Sequence, residues 1–238
     1  MKLDILAFGA HPDDVELGCG ATIAKEISLG NKVGVVDLTR GELGTRGSAE
    51  IRDVEASNAA EILGLSVREN LRFRDGFFVN DEHHQLEIIK MIRKYQPDIV
   101  LCNAVDDRHI DHAKASKLVS DACFLSGLRR IETVLDGVQQ KEWRPKLVYH
   151  YIQWKNIEPD FVVDVTGFVD KKIEAIKAYS SQFYDSDSKE PLTPIATKNF
   201  MDSLVYRSQD LGRLIGTDFG EGFTVERYLA VNSLGNLI

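Results

Sequence analysis

LAFGAHPDDVELGCG, residues 6–20, is the stretch on which the reading of the fold turns. With Leu3 before it, the apolar run Leu3 to Phe8 reads as a buried strand, and it ends in His11-Pro12-Asp13-Asp14. Leu17, Ala21, Ala24 and Ile27 then recur at helical spacing until Gly30 stops the element. A strand that passes straight into a helix opens a βα unit. One imidazole and two carboxylates at the lip of a core strand mark that lip for chemistry, because ligands of open parallel sheets bind beyond the carboxyl ends of the strands.

Working outward, Lys32 to Leu38 is a second strand and Ile51 to Leu63 a helix stopped by Gly64. Leu71 to Arg74 is a weak strand, Leu86 to Tyr95 a helix stopped before Pro97, and Asp98 to Asn103 a buried strand. This βαβαβ order with short connections predicts a mostly parallel sheet with helices on both faces, an α/β three-layer sandwich. The second half is less regular. Lys146 to Gln153 and Phe161 to Val165 read as strands, Val169 to Phe183 and Ala196 to Leu214 as helices, and Tyr184 to Pro194 as a solvated polar loop.

The bulk properties narrow the function. A chain of 238 residues with 43% hydrophobic content supplies one sizeable core, so a single domain over residues 1–238 is expected. Its 29 Lys and Arg against 37 Asp and Glu give a net charge of −8, with no basic cluster, which argues against nucleic acid as a partner. No apolar run approaches the roughly 20 residues that cross a bilayer, and MKLDILAF lacks the features of a signal peptide. No membrane partner and a cytoplasmic location are therefore expected. Cys19, Cys102 and Cys123, widely spaced in apolar segments, read as reduced core thiols, and His83 and His84 as surface residues. Gly18-Cys19-Gly20 does not complete a dinucleotide fingerprint: G-x-G-x-x-G fails at Ile23, and the acidic loop would repel pyrophosphate.

A second ionisable cluster, Asp106-Asp107-Arg108-His109-Ile110-Asp111-His112, follows the strand that ends at Asn103. The fold brings both clusters to one rim, where histidines and carboxylates in one cleft call for a cation. His11, Asp14 and His112 form a suitable ligand set for a divalent metal ion, with a coordination position left for water. Zinc is expected, and ferrous iron suits the same donors. Asp13, left free beside Asp14, is placed to take a proton from a water acidified by the ion. His109 faces the same substrate as an electrostatic or acid partner, and Asp111 either orients that ring or supports a metal-binding histidine.

HPDD after a strand, with Glu16, Gly18 and a later His-x-Asp-His, resembles the LmbE/PIG-L family of metal-dependent N-acetylglucosaminyl deacetylases. The resemblance extends through Thr39-Arg40-Gly41-Glu42, Gly44, Gly47, Arg52, Glu55 and Ile62-Leu63-Gly64. Tyr179-Ser180-Ser181-Gln182-Phe183 and Gly220-Glu221-Gly222-Phe223 look like the branch that deacetylates N-acetylglucosaminyl malate in bacillithiol biosynthesis. The resemblance implies a zinc-dependent N-deacetylase with a Rossmann-like half over about residues 1–126. It also implies a small-molecule amino-sugar substrate, the metal and catalytic roles just given, Arg52 and Arg108 near that substrate, and relatives that are often homo-oligomers. Arg207 is a further cation available to substrate carboxylates. Gln182 and Glu221 can be functional or structural, the latter as a strand-end turn. One departure is Ile110 where the family's second motif has proline, which should loosen that turn. Two other readings stay open: a non-haem iron oxygenase, whose facial triad also uses two histidines and a carboxylate, and a non-catalytic module with a structural ion.

Overall fold

The computed structural model describes residues 1–236. Its chain runs β1 (Ile5–Gly9), α1 (Asp14–Ser28), β2 (Val33–Thr39), α2 (Ala49–Leu63), β3 (Val67–Phe73), α3 (Glu82–Tyr95), β4 (Ile99–Cys102) and α4 (Ile110–Ser126). A hairpin of β5 (Val134–Leu135) and β6 (Val138–Gln139) follows. Then come β7 (Leu147–Tyr151), β8 (Phe161–Asp164), α5 (Val169–Lys177), α6 (Lys198–Ile215) and β9 (Gly220–Val225). Seven strands form one sheet in the order β3-β2-β1-β4-β7-β9-β8. Only β9 runs against its neighbours, pairing antiparallel with β7 and β8. The expected α/β sandwich with a mostly parallel sheet is what forms.

Strand side chains alternate between the two covered faces, as the pleat dictates. Leu6, Phe8, Val36, Leu38, Val100 and Cys102 pack with Ile88, Ile92, Leu118 and Val119 of α3 and α4. Ile5, Ala7, Val33, Val35 and Leu101 pack on the other side with Ile23, Ala59 and Ile176 of α1, α2 and α5. β1 lies between β2 and β4, parallel to both. The chain leaves β1 toward β2 on one side and reaches β4 on the other, which opens a crevice above the carboxyl ends of β1 and β4. Both ionisable clusters hang over that crevice.

Several elements differ from their sequence reading. β3 extends over Val67–Phe73 rather than 71–74, with its Arg68 hidden by pairing: Arg68 binds Asp37 at 2.8 Å and Glu16 at 2.5 Å. α4 is additional to the expected elements, and its N-cap is His109, whose ring nitrogen accepts the Asp111 N–H in place of a hydroxyl or carboxylate cap. The β5–β6 hairpin on Asp136-Gly137 is likewise additional to the expected elements. α5 stops at Lys177 instead of continuing to Phe183. Beyond it Glu55 accepts hydrogen bonds from Ser181 N at 2.7 Å and Ser181 Oγ at 2.8 Å. Tyr184 to Pro194 is irregular, as expected, yet it is not all solvated: Ser188 accepts from Arg46 Nη2 at 2.7 Å, and Thr193 and Pro194 line the crevice. The three cysteines are buried free thiols and His83 is exposed, whereas His84 is partly covered and hydrogen-bonds Asp81 at 2.6 Å.

Gly220-Glu221-Gly222 is no turn. It is the start of β9, and Glu221 points its carboxylate at a break in α1, where Cys19 adopts φ −146° and ψ 22°. Glu221 accepts from the Ala21 and Thr22 backbone N–H groups at 3.2 and 2.7 Å and pairs with Lys172 Nζ at 2.6 Å, all out of water. It caps the helix where it restarts after Cys19. Glycines allow the close fit: a Cβ on Gly18 would stand 2.1 Å from the Tyr151 ring. Glu221→Ala should cost about 3–5 kcal/mol, because Lys172 and two helix N–H groups lose their partner in a dry site. Urea unfolding measures it, and a change below about 1 kcal/mol would remove Glu221 from this role.

Candidate metal centre

β1 ends at Gly9, and Pro12 turns the chain so that Asp13 sits at φ 108°, in the left-handed region that a non-glycine residue occupies only when its surroundings hold it. Arg52 of α2 is what holds it. Its Nη2 lies 2.9 Å from Asp13 Oδ2 and also donates to the Pro12 carbonyl. Both partners are buried, so Arg52, expected near substrate, is first of all the counter-charge of Asp13. Burial pushes the Asp13 carboxyl up to about 7, the Arg52 charge opposing that rise. Such a carboxylate is a base poised near neutral pH.

His11, Asp14 and His112 meet as the sequence led one to expect, and each imidazole divides its two nitrogens in the same way. His112 Nδ1 donates to Asp107 at 2.7 Å, while its Nε2 lies 3.1 Å from Asp14 Oδ1. His11 Nε2 lies 3.0 Å from Asp75 and 3.4 Å from Asp111, while its Nδ1 lies 3.5 Å from Asp14 Oδ2. One edge of each ring is held by a carboxylate and the other faces Asp14, the arrangement that prepares histidine to donate a lone pair to a cation. Burial pulls His112 down, but the Asp14 charge and the hydrogen bonds to Asp107 and Asp14 outweigh it and lift the group to about 9. Asp13, Asp14, Asp75, Asp107 and Asp111 are all buried here, with Arg52 and Lys114 as the neighbouring side-chain cations. The donor types and the excess of negative charge fit a divalent metal ion. By the distance among single donor atoms, two groupings lie within 4.8 Å, His11 with His109 and His112, and His11 with Asp75 and Asp111; Asp14 belongs to neither and meets each imidazole pairwise.

His109 stacks against His112, with ring centroids 5.1 Å apart, and meets His11 edge-on at 4.7 Å. Burial and then the neighbouring imidazoles lower its pKa, which favours the neutral ring. Its Nδ1 accepts the Asp111 N–H at 3.2 Å, which leaves the ring proton on Nε2 as a donor. Asp111 does not orient this ring with its side chain. Its carboxylate instead takes the Gly76 N–H at 2.8 Å and Lys114 Nζ at 2.5 Å and faces His11, the second of the two roles considered for it. With Ile110 in the turn, His112 N donates to the His109 carbonyl at 3.2 Å.

These groups form the floor of a cavity of about 430 Å³. Leu43, Gly44, Gln182, Pro194, Trp154 and Phe200 build its walls. Trp154 and Phe200 stack at 5.4 Å, and the Arg108 guanidinium lies 4.7 Å over the Trp154 ring, exposed and with no carboxylate partner among the described residues. Arg207 stands behind this wall, donating to the Trp154 carbonyl at 2.5 Å, and does not line the cavity. Gln182 does line it, its Nε2 donating to the Arg46 carbonyl at 2.8 Å. Asp75, Asp107 and Gln153 have no assigned role at the level of sequence. The signal for Asp75 is its position just past the end of β3, which the reading of residues 71–74 as a strand already offers.

A family model described as PIG-L: GlcNAc-PI de-N-acetylase matches residues 6–123, which contain every one of these histidines and all five aspartates. A solved protein from Thermus thermophilus, the conserved protein TT1542, superposes with a TM-score of 0.85 at 33% identity, over 97% of this chain and 98% of its own. The chain belongs to the PIG-L family. Curated relatives include the uncharacterized deacetylase YaiS of Escherichia coli (strain K12), 38% identical over 50% of this chain and 67% of its own. The diacetylchitobiose deacetylase of Thermococcus kodakarensis is 29% identical over 75% and 70%. A 4-oxalmesaconate hydratase of Pseudomonas putida is 28% identical over 74% and 73%, so relatives of this PIG-L chain are not all deacetylases by name.

Proposed function

We propose that the protein hydrolyses the acetamide of an N-acetylglucosamine derivative, using one divalent ion, zinc by preference, held by His11, Asp14 and His112. The observation that carries this reading is the pair of carboxylate-backed imidazoles facing Asp14, with the buried base Asp13 beside them. When bound, the ion would polarise the acetamide carbonyl and acidify a water. Asp13 takes the proton from the attacking water, and Arg52 holds the carboxylate on the cavity side while it does so. His109 Nε2–H donates to the carbonyl oxygen as negative charge collects there. The proton held by Asp13 is then available to the departing amine, giving acetate and a free glucosamine nitrogen. A facial-triad oxygenase would leave the Asp13–Arg52 pair and His109 without a task, and a structural ion would not need a cavity above it.

For the aglycone we favour malate. Arg108, exposed on Trp154 at the cavity rim, offers an unpaired cation to a dicarboxylate. Incubating the zinc-loaded protein with N-acetylglucosaminyl malate, diacetylchitobiose and N-acetylglucosaminyl inositol, and following acetate and free amine by mass spectrometry, tests both levels. Release of acetate from the malate conjugate at the highest kcat/KM is expected, with Arg108→Ala raising KM for that substrate alone. Acetate release from none of them would overturn the deacetylase reading. A hydratase, the reading favoured by the likeness to the Pseudomonas protein, would instead add water to an unsaturated carboxylic acid without releasing acetate.

A further inference from the structure

Asp14 is gripped by two side-chain amides that the reaction itself does not employ. The chain of hydrogen bonds starts at the Ala10 backbone N–H, which donates to Asn103 Oδ1 at 2.9 Å. A backbone N–H cannot accept, so the Asn103 amide has one workable orientation, with Nδ2 turned the other way. Nδ2 donates to Asp14 Oδ2 at 3.0 Å and to Gln153 Oε1 at 3.0 Å. With its oxygen committed to Asn103, Gln153 presents Nε2 to Asp14 Oδ1 at 2.7 Å. The His11 backbone N–H adds a donor to Oδ2 at 2.9 Å. Each Asp14 oxygen therefore receives an amide N–H, and one main-chain group sets the direction of the whole relay. Asn103 lies just past the end of β4 and Gln153 just past β7, so the relay ties three adjacent strand ends together. All three side chains are buried.

Without those donors the Asp14 carboxylate would be free to rotate toward His112 Nε2, already 3.1 Å away. We propose that Asn103 and Gln153 are positioning residues, an amide relay that locks the plane of the Asp14 carboxylate and so sets the affinity of the site for its metal ion. The proposal rests on the reading of Asp14 as a ligand. A carboxylate already fixed in its working orientation loses no rotamer freedom when a cation arrives, and hydrogen-bonding partners of metal ligands are typically worth about 10–100-fold in affinity. Gln153 is the better residue to change, since it reaches the cavity while Asn103 is sealed inside.

The test is zinc affinity measured by competition with a chromogenic chelator, for wild type, Gln153→Leu, Gln153→Met and Asp14→Ala, together with the melting temperature of each metal-free protein. Both Gln153 variants should bind zinc about 10–100-fold more weakly while their metal-free melting stays at the wild-type value, and Asp14→Ala should lose stoichiometric binding. Unchanged zinc affinity in folded Gln153 variants, with Asp14→Ala still defective, would overturn the relay and leave the ligand assignment standing. Unchanged affinity in Asp14→Ala would overturn both. Gln153 variants that melt early without zinc and bind it normally would make the pair a packing feature and likewise overturn the relay.

Discussion

Asp13→Asn should lower kcat by about 10²–10⁴-fold while the protein still binds one zinc ion per chain. The substitution preserves shape and removes the ability to accept a proton, and Asp13 is not among the three residues proposed to hold the ion. Burial raises its carboxyl to about 7, a value matched to work near neutral pH. The sign of the pH effect follows from the role: a base acts when deprotonated, so the wild-type rate should climb as pH rises through the Asp13 pKa. A cation bound beside it draws that value down, which places the midpoint of the acidic limb at about 7 or below. In Asp13→Asn this limb should disappear along with the rate. The variant leaves Arg52 buried without its counter-charge, so circular dichroism and metal content have to show a folded, loaded protein before the rate is read. Full turnover in such a protein would transfer the base role to another group.

What the sequence disclosed and what it hid divide along a physical line. The core strands and the two ionisable clusters were legible because periodicity and strand ends are local properties, and because a parallel sheet has one rim on which such ends must gather. His11, Asp14 and His112 come together across about a hundred residues of chain for that reason. Pairings were not legible. Arg68 falls outside the strand read over 71–74, and only its pairing with Glu16 and Asp37 shows how a charge can sit in β3. Glu221 reads as part of a turn until the break at Cys19 supplies helix N–H groups for it to cap. Asp111 and His109 sit two residues apart, and spacing alone could not show that the Asp111 backbone serves the His109 ring while the Asp111 carboxylate serves His11. In each case the deciding partner comes from another element or from the main chain, neither of which a side-chain pattern records.

His112→Ala should leave the purified protein without a stoichiometric metal ion after dialysis, and His11→Ala should do the same. Each of these imidazoles has one nitrogen occupied by a carboxylate, Asp107 for His112 and Asp75 with Asp111 for His11, so each brings a single pre-oriented lone pair toward Asp14. Alanine removes that lone pair, and it also leaves the supporting carboxylate buried without its N–H donor, which raises local negative charge but supplies no ligand at the same point. Asp107→Asn is the graded comparison. It keeps His112 in place and weakens the hydrogen bond that orients it, so metal affinity should fall by about 10–100-fold rather than vanish. His109→Ala separates this assignment from its nearest competitor, because His109 shares a donor cluster with His11 and His112 but faces Asp111 N through Nδ1. It should keep its metal by elemental analysis and lose rate. If His109→Ala loses the ion while Asp14→Ala keeps it, three imidazoles hold the metal, and Asp14 serves instead as the acceptor that draws His11 and His112 together.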